Sequence, residues 1–240
     1  MTTPVRIAMW SGPRNISTAM MRSWENRPDC HVSDEPLYAA WLSLSGAAHP
    51  AREEVIAAGE ADWQVVVRQL TRGPVPGGCP IWYQKHMCHH LHDSIPLDWI
   101  AELANVLLIR RPDEVVASYV RARGTDDIVA EDVGLPQQVM LFDWLERSTG
   151  LAPPVIDSAD FLAAPGDHLQ ALCRWLGVEF RPQMLAWPAG PRATDGVWAK
   201  YWYDSVWRST GFVAPEPRTI DLQGRAAEVA ESCRPLYRRL

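Results

Sequence analysis

The sequence has 240 residues, of which 47% are hydrophobic and 22% charged, and its formal net charge at pH 7 is −6. This length and composition suit one globular domain with its own core. The negative charge argues against a general nucleic-acid-binding protein, because such proteins present a basic face to the phosphate backbone.

The cysteines and the N-terminus indicate where the protein works. The five cysteines are widely spaced and no CxxC pair occurs, which argues against a disulfide framework and favours a reducing compartment. The apolar run near the N-terminus is too short for a signal peptide, and no stretch is long enough to span a bilayer. We therefore predict a cytoplasmic protein with no membrane partner.

Apolar runs that alternate with helical patterns predict an α/β fold. The clearest interior strand is the continuous apolar run NVLLI at 105–109, because strands buried on both faces lack alternation. In chain order, we predict a strand at 5–10, a helix at 17–25, a strand at 31–33, a helix at 37–44, a helical segment at 50–72 broken near Gly59, a strand at 81–85, a short helix at 96–103, the strand at 105–109, helices at 112–122 and 135–147, an edge strand at 155–157, and helices at 167–176 and 223–239.

Strands separated by helices predict a parallel sheet with helices on both faces, and ligands of such sheets bind beyond the carboxyl ends of the strands. The segment 182–217 differs from the rest in being rich in Trp, Tyr, Pro and Gly. We predict a single domain over 1–240, in which 182–217 forms a lid or a pocket wall. Its aromatic residues favour either an apolar acceptor pocket or core packing, and both alternatives stay open.

The first candidate site is the turn GPRNIST at 12–18, between the first predicted strand and helix. Backbone N–H groups, the positive end of a helix dipole and the Arg14 guanidinium can bind an anion there. Ser17 and Thr18 add hydroxyl groups, although an ordinary junction with a serine cap is an alternative. The turn is not a Walker A loop, because GxxxxGK[ST] requires a lysine that this turn lacks.

The second candidate site begins where the strand at 105–109 ends. Arg110 follows this buried strand, where a guanidinium is costly unless it meets an anion. Ser118 lies two helical turns further on and can face the same side. The alternative is that Arg110 pairs with Asp113 or Glu114 at the start of the helix.

Together the two sites resemble the sulfotransferases that use 3′-phosphoadenosine 5′-phosphosulfate. Members of this family carry a loop such as PKSGTT or PRSGTT after the first strand, which PRNIST at 13–18 resembles. They also carry a strand that ends in Arg, with Pro two and Ser eight residues later, and RRPDEVVAS at 110–118 has this spacing. The stretches GPRN, DEPLY, KHM and WAKYWY are similar to a bacterial sulfotransferase-like subfamily.

The resemblance covers most of the chain to about residue 180 and has two departures. Lys85 and His86 resemble the family's Lys-x-His strand end without the intervening residue, and 160–180 resembles the helix that leads to a Leu-Gly-Val-Glu-Phe end. Ile16 stands where the loop usually has Gly, so the turn cannot use positive φ freely there. The late RKGxxG motif is absent, and RATDG at 192–196 with Lys200 is the nearest substitute.

The resemblance implies a P-loop nucleoside-triphosphate-hydrolase-like sulfotransferase fold. It implies transfer of a sulfonate group from 3′-phosphoadenosine 5′-phosphosulfate, as co-substrate, to a hydroxyl or amine of a small-molecule acceptor, without a metal. A homodimer is compatible with it. The donor-binding residues that it implies are Arg14, Asn15, Ser17 and Thr18 at the phosphosulfate, and Arg110 and Ser118 at the 3′-phosphate.

The candidate catalytic residues are Glu35, Lys85 and His86. Glu35 is the first candidate for a base that takes a proton from the acceptor, although Asp34 and Glu35 as the cap and dipole partner of a helix are an equal alternative. Lys85 or His86 would stabilise charge or act as the base. The histidines at 86, 89, 90 and 92 with Cys88 fit no common zinc spacing, so no metal is predicted.

Two other functions stay open. A P-loop kinase or nucleotide hydrolase would need a Walker lysine and a magnesium ligand, and the sequence offers neither at the expected places. A catalytically inactive nucleotide-binding protein of the same fold would explain Ile16 and the missing late motif. A turnover assay with the phosphosulfate donor separates it from an active enzyme.

Overall fold

The computed structural model describes residues 3–214 and 219–240. Its centre is a five-stranded sheet in the order β2-β3-β1-β4-β5, with every neighbouring pair parallel. The strands are β1 (Val5–Ser11), β2 (Cys30–Asp34), β3 (Ile81–Met87), β4 (Ala104–Ile109) and β5 (Val155–Asp157). The predicted parallel α/β sheet is therefore confirmed, with β5 at an edge as expected.

Helices connect and flank the strands. They are α1 (Ser17–Glu25), α2 (Tyr38–Ser45), α3 (Arg52–Ala58), α4 (Trp63–Arg72), α5 (Pro112–Arg123), α6 (Ala130–Val133), α7 (Leu135–Thr149), α8 (Ser158–Ala163), α9 (Pro165–Trp175), α10 (Ala199–Trp202), α11 (Asp204–Trp207) and α12 (Gly224–Arg239). The predicted helix at 96–103 is only a 3-10 turn, Asp98–Glu102. The four shortest helices were not predicted, because four to six residues are too few to show a helical period. No helix within the described ranges is long and apolar enough to cross a membrane.

The core lies on both faces of the sheet. Successive strand residues point to opposite faces, so β1 buries Ile7 and Met9 against α1, α8 and α9, and Ala8 and Trp10 against α4 and α7. A strand that is buried on both sides needs apolar residues at every position. This requirement explains the continuous apolar runs in β1 and β4.

The register of the sheet brings the carboxyl ends of four strands to one edge. Ser11 of β1 pairs with Met87 of β3 and Leu108 of β4, and Asp34 of β2 pairs with Lys85 of β3. The loops that follow these strands therefore start side by side. They contain the candidate residues from 12–18, 34–38 and 110–118.

The aromatic-rich segment predicted as a lid packs against α1 through a buried ion pair. Nη2 of Arg22 donates to both carboxylate oxygens of Asp195, at 2.5 and 2.7 Å, and the side chains are 1% and 5% exposed. Trp207 donates to the same carboxylate at 3.0 Å. Positions 215–217 of the predicted segment lie outside the described residues, and the single-domain organisation over 1–240 stays a prediction.

Gly12 gives the first prediction, since a side chain there has no room. A Cβ at Gly12 would lie 2.3 Å from the backbone oxygen of Val133. We expect Gly12→Ala to lower the free energy of unfolding by about 1–3 kcal/mol, because backbone has to move. Urea denaturation measures this value.

The matched control is Gly166→Ala in α9, where a Cβ meets only Leu185, at 4.0 Å. Alanine in place of a helical glycine should stabilise the protein by about 0.5–1 kcal/mol. Equal unfolding free energies for the two variants would contradict the close approach at Gly12.

Candidate functional site

A cavity of about 630 Å³ opens at the carboxyl edge of the sheet. Its walls come from the loops after β1 to β4 and from the aromatic-rich segment. The predicted site residues that line it are Arg14, Asn15, Ser17, Thr18, Glu35, Lys85, Arg110 and Ser118. Of the nine donor-binding and catalytic residues predicted from the sequence, the cavity lining therefore includes eight and leaves out His86.

The loop between β1 and α1 forms its turn without a left-handed residue at position 16, where related loops have glycine. Ile16 has an ordinary φ of −86°, and the left-handed residue is Arg14, with φ 55°. A left-handed conformation is uncommon for a residue with a side chain and is often found at functional sites. The resemblance to the family suggested a left-handed residue at position 16, whereas in the structure the left-handed residue is at position 14.

The N-terminus of α1 presents free backbone donors to the cavity. The first backbone bond of the helix runs from Met20 N–H to Ile16 O, at 2.9 Å. Within the part of the chain that the structure describes, the N–H groups of Ser17, Thr18 and Ala19 have no acceptor, and no side chain caps the helix. The alternative of a serine cap is therefore not seen. These donors and the helix dipole favour an anion at this point.

Asn15 fixes the loop to the sheet. Its Nδ2 donates to Leu108 O at 3.0 Å, and its Oδ1 accepts from Ile16 N–H at 2.8 Å. Both polar atoms of the side chain are thus engaged inside the protein. This geometry supports a role in shaping the loop.

Arg14 and Arg110 lie next to each other at the cavity. Arg14 Nε donates to Ser118 Oγ at 3.1 Å, and Arg110 Nη1 donates to Arg14 O at 2.8 Å. Arg110 Nε also pairs with Glu114 at 2.8 Å, so the predicted ion pair and the cavity position occur together. Burial, followed by the positive charges of Arg110 and Arg121, lowers the pKa of Arg14. Two adjacent guanidinium groups favour an anionic ligand between them.

Lys85 is the centre of a buried polar cluster. Its Nζ donates to Asp34 Oδ1 at 2.8 Å, Glu35 Oε1 at 2.5 Å and Tyr203 OH at 2.6 Å. An ammonium group has three donors, and all three are used here by a side chain that is 2% exposed. Although burial opposes its charge, the carboxylates of Asp34 and Glu35 hold the pKa of Lys85 well above its usual value.

Glu35 has one carboxylate oxygen held and one free. It adopts a left-handed conformation with φ 45°, and its N–H donates to Lys85 O at 2.9 Å. Its Oε1 accepts from Lys85, whereas Oε2 lies 3.9 Å from His90 Nε2. Burial raises the pKa of Glu35, in spite of the opposing charge of Lys85. A buried carboxylate with a raised pKa and a free oxygen has the properties of a general base.

Asp34 and Tyr203 complete the cluster. Asp34 accepts from Tyr203 OH at 2.8 Å and from Gly196 N–H at 3.1 Å, and α2 begins later, at Tyr38. The alternative that Asp34 caps this helix is therefore not seen. Tyr203 lies in the aromatic-rich segment, and nothing in the sequence distinguishes it from the aromatic residues around it. Its hydroxyl finds its partners only in the folded chain.

His86 lies away from the cavity. It points to the opposite face of β3 from Lys85, as neighbours in a strand do, and stacks on Trp10 with ring centroids 4.2 Å apart. Burial lowers the pKa of His86 to about 3. His86 is buried and is not among the residues that line the cavity, so the geometry favours Glu35 over His86 as the candidate base.

Three other histidines line the cavity instead, namely His49, His89 and His90. The chain turns after β3 through the 3-10 turn Cys88–His90, which returns His89 and His90 to the cavity side. Burial lowers the pKa of His89 to about 4 and that of His90 well below its usual value. The signal that could have found them is the strand end, predicted at 85 and observed at Met87. In residues 3–214 and 219–240, no three ligand-type side chains are grouped to hold a metal.

The substitute for the late motif does not reach the cavity. Lys200 pairs on the surface with Glu54 at 2.8 Å, and Arg192 uses its backbone N–H to donate to Asp195. Neither residue lines the cavity, whereas Arg123, at the end of α5, does. Sequence analysis did not single out Arg123.

A family model and two known proteins match this chain over nearly its whole length. The family model described as Sulfotransferase domain matches residues 5–240. Two Arabidopsis thaliana proteins are similar: branched-chain-amino-acid aminotransferase-like protein 2, 34% identical over 96% of this chain and 40% of the relative, and protein 1 of the same name, 35% identical over 99% and 42%. The chain thus spans about two fifths of the length of these relatives.

A solved structure shares the fold over nearly the full length. The sulfotransferase domain from the curacin biosynthetic pathway superposes with a TM-score of 0.56 and 16% identity, covering 97% of this chain and 98% of that domain. At this identity the likeness concerns the fold alone.

The buried position of His86 predicts a pH dependence of stability. An unfolded histidine titrates near 6.5 and the folded one near 3, so the unfolded state alone binds a proton as the pH falls between these values. The native state must therefore lose stability toward acid, by up to about 1.4 kcal/mol per pH unit for this group. His86→Phe keeps an aromatic ring stacked on Trp10 and removes the pH-dependent contribution of His86 to the free energy of unfolding.

We expect His86→Phe to cost about 1 kcal/mol at pH 7, because its bond to Gln84 is lost. Between pH 6 and pH 4, roughly the window set by the two pKa values, its unfolding free energy should fall less steeply than that of the wild type. Urea denaturation at several pH values measures both slopes. Equal slopes would show that His86 does not remain neutral in the folded state.

Proposed function

The chain belongs to the sulfotransferase family, and from this premise we propose that it transfers the sulfonate group of 3′-phosphoadenosine 5′-phosphosulfate to a hydroxyl or amine of a small-molecule acceptor. The observation that carries the proposal is the composition of the cavity at the carboxyl edge of the sheet. Its lining combines the anion-binding start of α1 and two adjacent arginines with the buried carboxylate of Glu35. A cytoplasmic location remains part of the proposal.

The donor binds where the positive groups converge. The free N–H groups at the start of α1, the hydroxyls of Ser17 and Thr18, and the guanidinium of Arg14 would hold the phosphosulfate end. Arg110 and Ser118 would hold the 3′-phosphate, which gives the donor two separate anion contacts. Asn15 contributes by holding the loop in the required shape.

Glu35 is the proposed base. As the acceptor oxygen or nitrogen bonds to sulfur, its proton passes to Glu35 Oε2, the oxygen that Lys85 does not hold. The bond from the sulfur to the donor's phosphate oxygen breaks at the same time, and this leaving group needs positive charge around it. Arg14 and the N-terminus of α1 supply that charge.

Lys85 acts through Glu35. All three of its N–H donors are used within the cluster, so a direct bond to the sulfonate would cost one of them. We therefore assign Lys85, Asp34 and Tyr203 as positioning residues that fix Oε1 of Glu35. Lys85 keeps the carboxylate ionised enough to accept a proton, and burial keeps it basic enough to do so.

The two proposed anion contacts, one at the phosphosulfate end and one at the 3′-phosphate, predict which nucleotides bind most tightly. Adenosine 3′,5′-bisphosphate, the product nucleotide, should raise the melting temperature more than AMP or ATP, by mass action on the native state. Arg110→Ala should weaken bisphosphate binding roughly 10-fold to 100-fold and AMP binding little, since a charge-assisted contact is worth about 1.5–3 kcal/mol. Calorimetric titration measures the dissociation constants.

The matched control is Arg111→Ala, which removes the neighbouring charge from a side chain that is 57% exposed and paired with Asp113. It should change neither affinity by more than about 3-fold. An equal loss of AMP and bisphosphate in Arg110→Ala would mean that Arg110 only supports Arg14 O. Equal thermal shifts from ATP and the bisphosphate, or a magnesium requirement, would contradict the proposed function and favour a kinase.

The base assignment predicts a separate effect on turnover. Glu35→Gln keeps the shape of the side chain and an oxygen for Lys85, but it removes basicity. It should lower kcat on the order of 10²-fold to 10⁴-fold with little change in nucleotide affinity. The assay follows turnover with the phosphosulfate donor and an acceptor, at saturating nucleotide.

His86→Phe is the control, because the sequence offered His86 as the other base, and it should remain active. An active Glu35→Gln beside an inactive but folded His86→Phe would reverse the assignment. Activity in both variants would place the base elsewhere or mean that the acceptor is already deprotonated.

A further inference from the structure

Four cationic side chains line the cavity in the described part of the chain, and three of them are engaged. Lys85 meets two carboxylates, Arg110 pairs with Glu114, and Arg14 donates to Ser118. The fourth is Arg123. Within residues 3–214 and 219–240 its guanidinium has neither a carboxylate within 4.0 Å nor a hydrogen bond, and it lies over the Tyr119 ring at 4.8 Å.

Arg123 faces the cavity because of its place on α5. Ser118, Tyr119, Ala122 and Arg123 all line the cavity, as residues three and four apart on one helix face do. Arg121, on the same last turn, does not line it. The contact with Tyr119, which also lines the cavity, places the guanidinium beside the cavity.

One wall of the same cavity, the aromatic wall, is built from the rings of Tyr38, Trp41, His49, His90 and Trp202. Its rings contact one another: Tyr38 and His90 stack at 4.4 Å, Trp41 and His90 at 5.0 Å, and His49 meets Trp202 at 6.1 Å. Burial is the main cause of the lowered pKa values of His49 and His89, and the positive charge of Arg123 contributes to both. Arg123 lines the same cavity as this wall, and the lowered pKa values keep the imidazoles of the wall neutral near pH 7.

In the described part of the chain, no acidic residue of the cavity lies within ion-pair distance of the Arg123 guanidinium. Glu35 is held by Lys85, and Asp132 accepts from Tyr119 OH at 3.3 Å and from Val129 N–H at 3.0 Å. Glu131 also lines the cavity but is not within ion-pair distance of the guanidinium. Arg123 is exposed to solvent at the mouth of the cavity, and its guanidinium, to which the described residues offer no carboxylate, presents a fork of donors that fits an anionic group.

We propose that the acceptor is an anionic hydroxy compound, with a carboxylate or similar acidic group at Arg123, a planar apolar body against the aromatic wall, and its hydroxyl at Glu35. This inference rests on the proposed function, because it names the substrate class of the same site. The carboxylate takes a paired contact from the guanidinium, and a protonated amine would meet like charge at Arg123. The aromatic wall supplies apolar contact area without a charge of its own.

The test compares three acids of increasing length with their primary amides: 4-hydroxybenzoate, 4-hydroxyphenylacetate and 3-(4-hydroxyphenyl)propionate. Binding is measured by calorimetric titration, both to the free protein and with adenosine 3′,5′-bisphosphate present. The wild type should bind at least one acid about 10-fold or more tighter than its amide, the range of a charge-assisted contact. Arg123→Gln should remove that preference and leave the affinities for the amide and the bisphosphate within about 3-fold.

Arg121→Gln is the matched control, since it removes the same charge from the same helical turn outside the cavity. It should keep the preference for the acid. No acid binding in the wild type, a preference for the amides, or equal losses in the Arg121 and Arg123 variants would each overturn the proposal. A loss of bisphosphate affinity in Arg123→Gln would overturn it by placing Arg123 at the nucleotide. Failure of the bisphosphate to bind the wild type would instead contradict the proposed function, because the acids are also titrated alone.

Discussion

The buried ammonium of Lys85 is the constraint on which the rest of the site depends. A charge removed from water is tolerated only when its donors are satisfied and its charge is balanced. Asp34 and Glu35 from the end of β2 and Tyr203 from the aromatic-rich segment meet this need together. Satisfying one lysine therefore fixes a strand end, a carboxylate and a cavity wall relative to one another.

The same arrangement divides the cavity into two parts with different chemistry. On one side, backbone N–H groups and the adjacent Arg14 and Arg110 form a positive region that suits a nucleotide with several phosphates. On the other side, Glu35 lies beside aromatic rings and neutral imidazoles. Arg14 and Glu35, two of the three non-glycine residues that adopt a left-handed conformation in the described part of the chain, stand at the strand ends that face the two parts. Such backbone strain persists only where the surrounding contacts hold it.

Two features that the sequence offered for the site, His86 and the stretch at 192–196, lie away from the cavity. With β3 ending at Lys85, His86 would begin a loop and be free to reach the site. The strand continues to Met87, so His86 turns into the opposite face and stacks on Trp10. RATDG at 192–196 was the nearest substitute in the sequence for the absent late motif. The fold uses it to anchor the segment on α1, through Asp195 and Arg22.

The sequence by itself determined what is local in the chain: the sheet strands, the main helices, the loop at 12–18, and the spacing of Arg110 and Ser118. Hydrophobic period and turn residues encode these features over a few neighbours. Only the tertiary structure decided which distant groups meet, such as Lys85 with Tyr203 and Arg14 with Ser118. Their positions follow from sheet register and from the packing of a segment more than a hundred residues further along. No local pattern carries that information, because the contact free energy is gained only when the chain has folded.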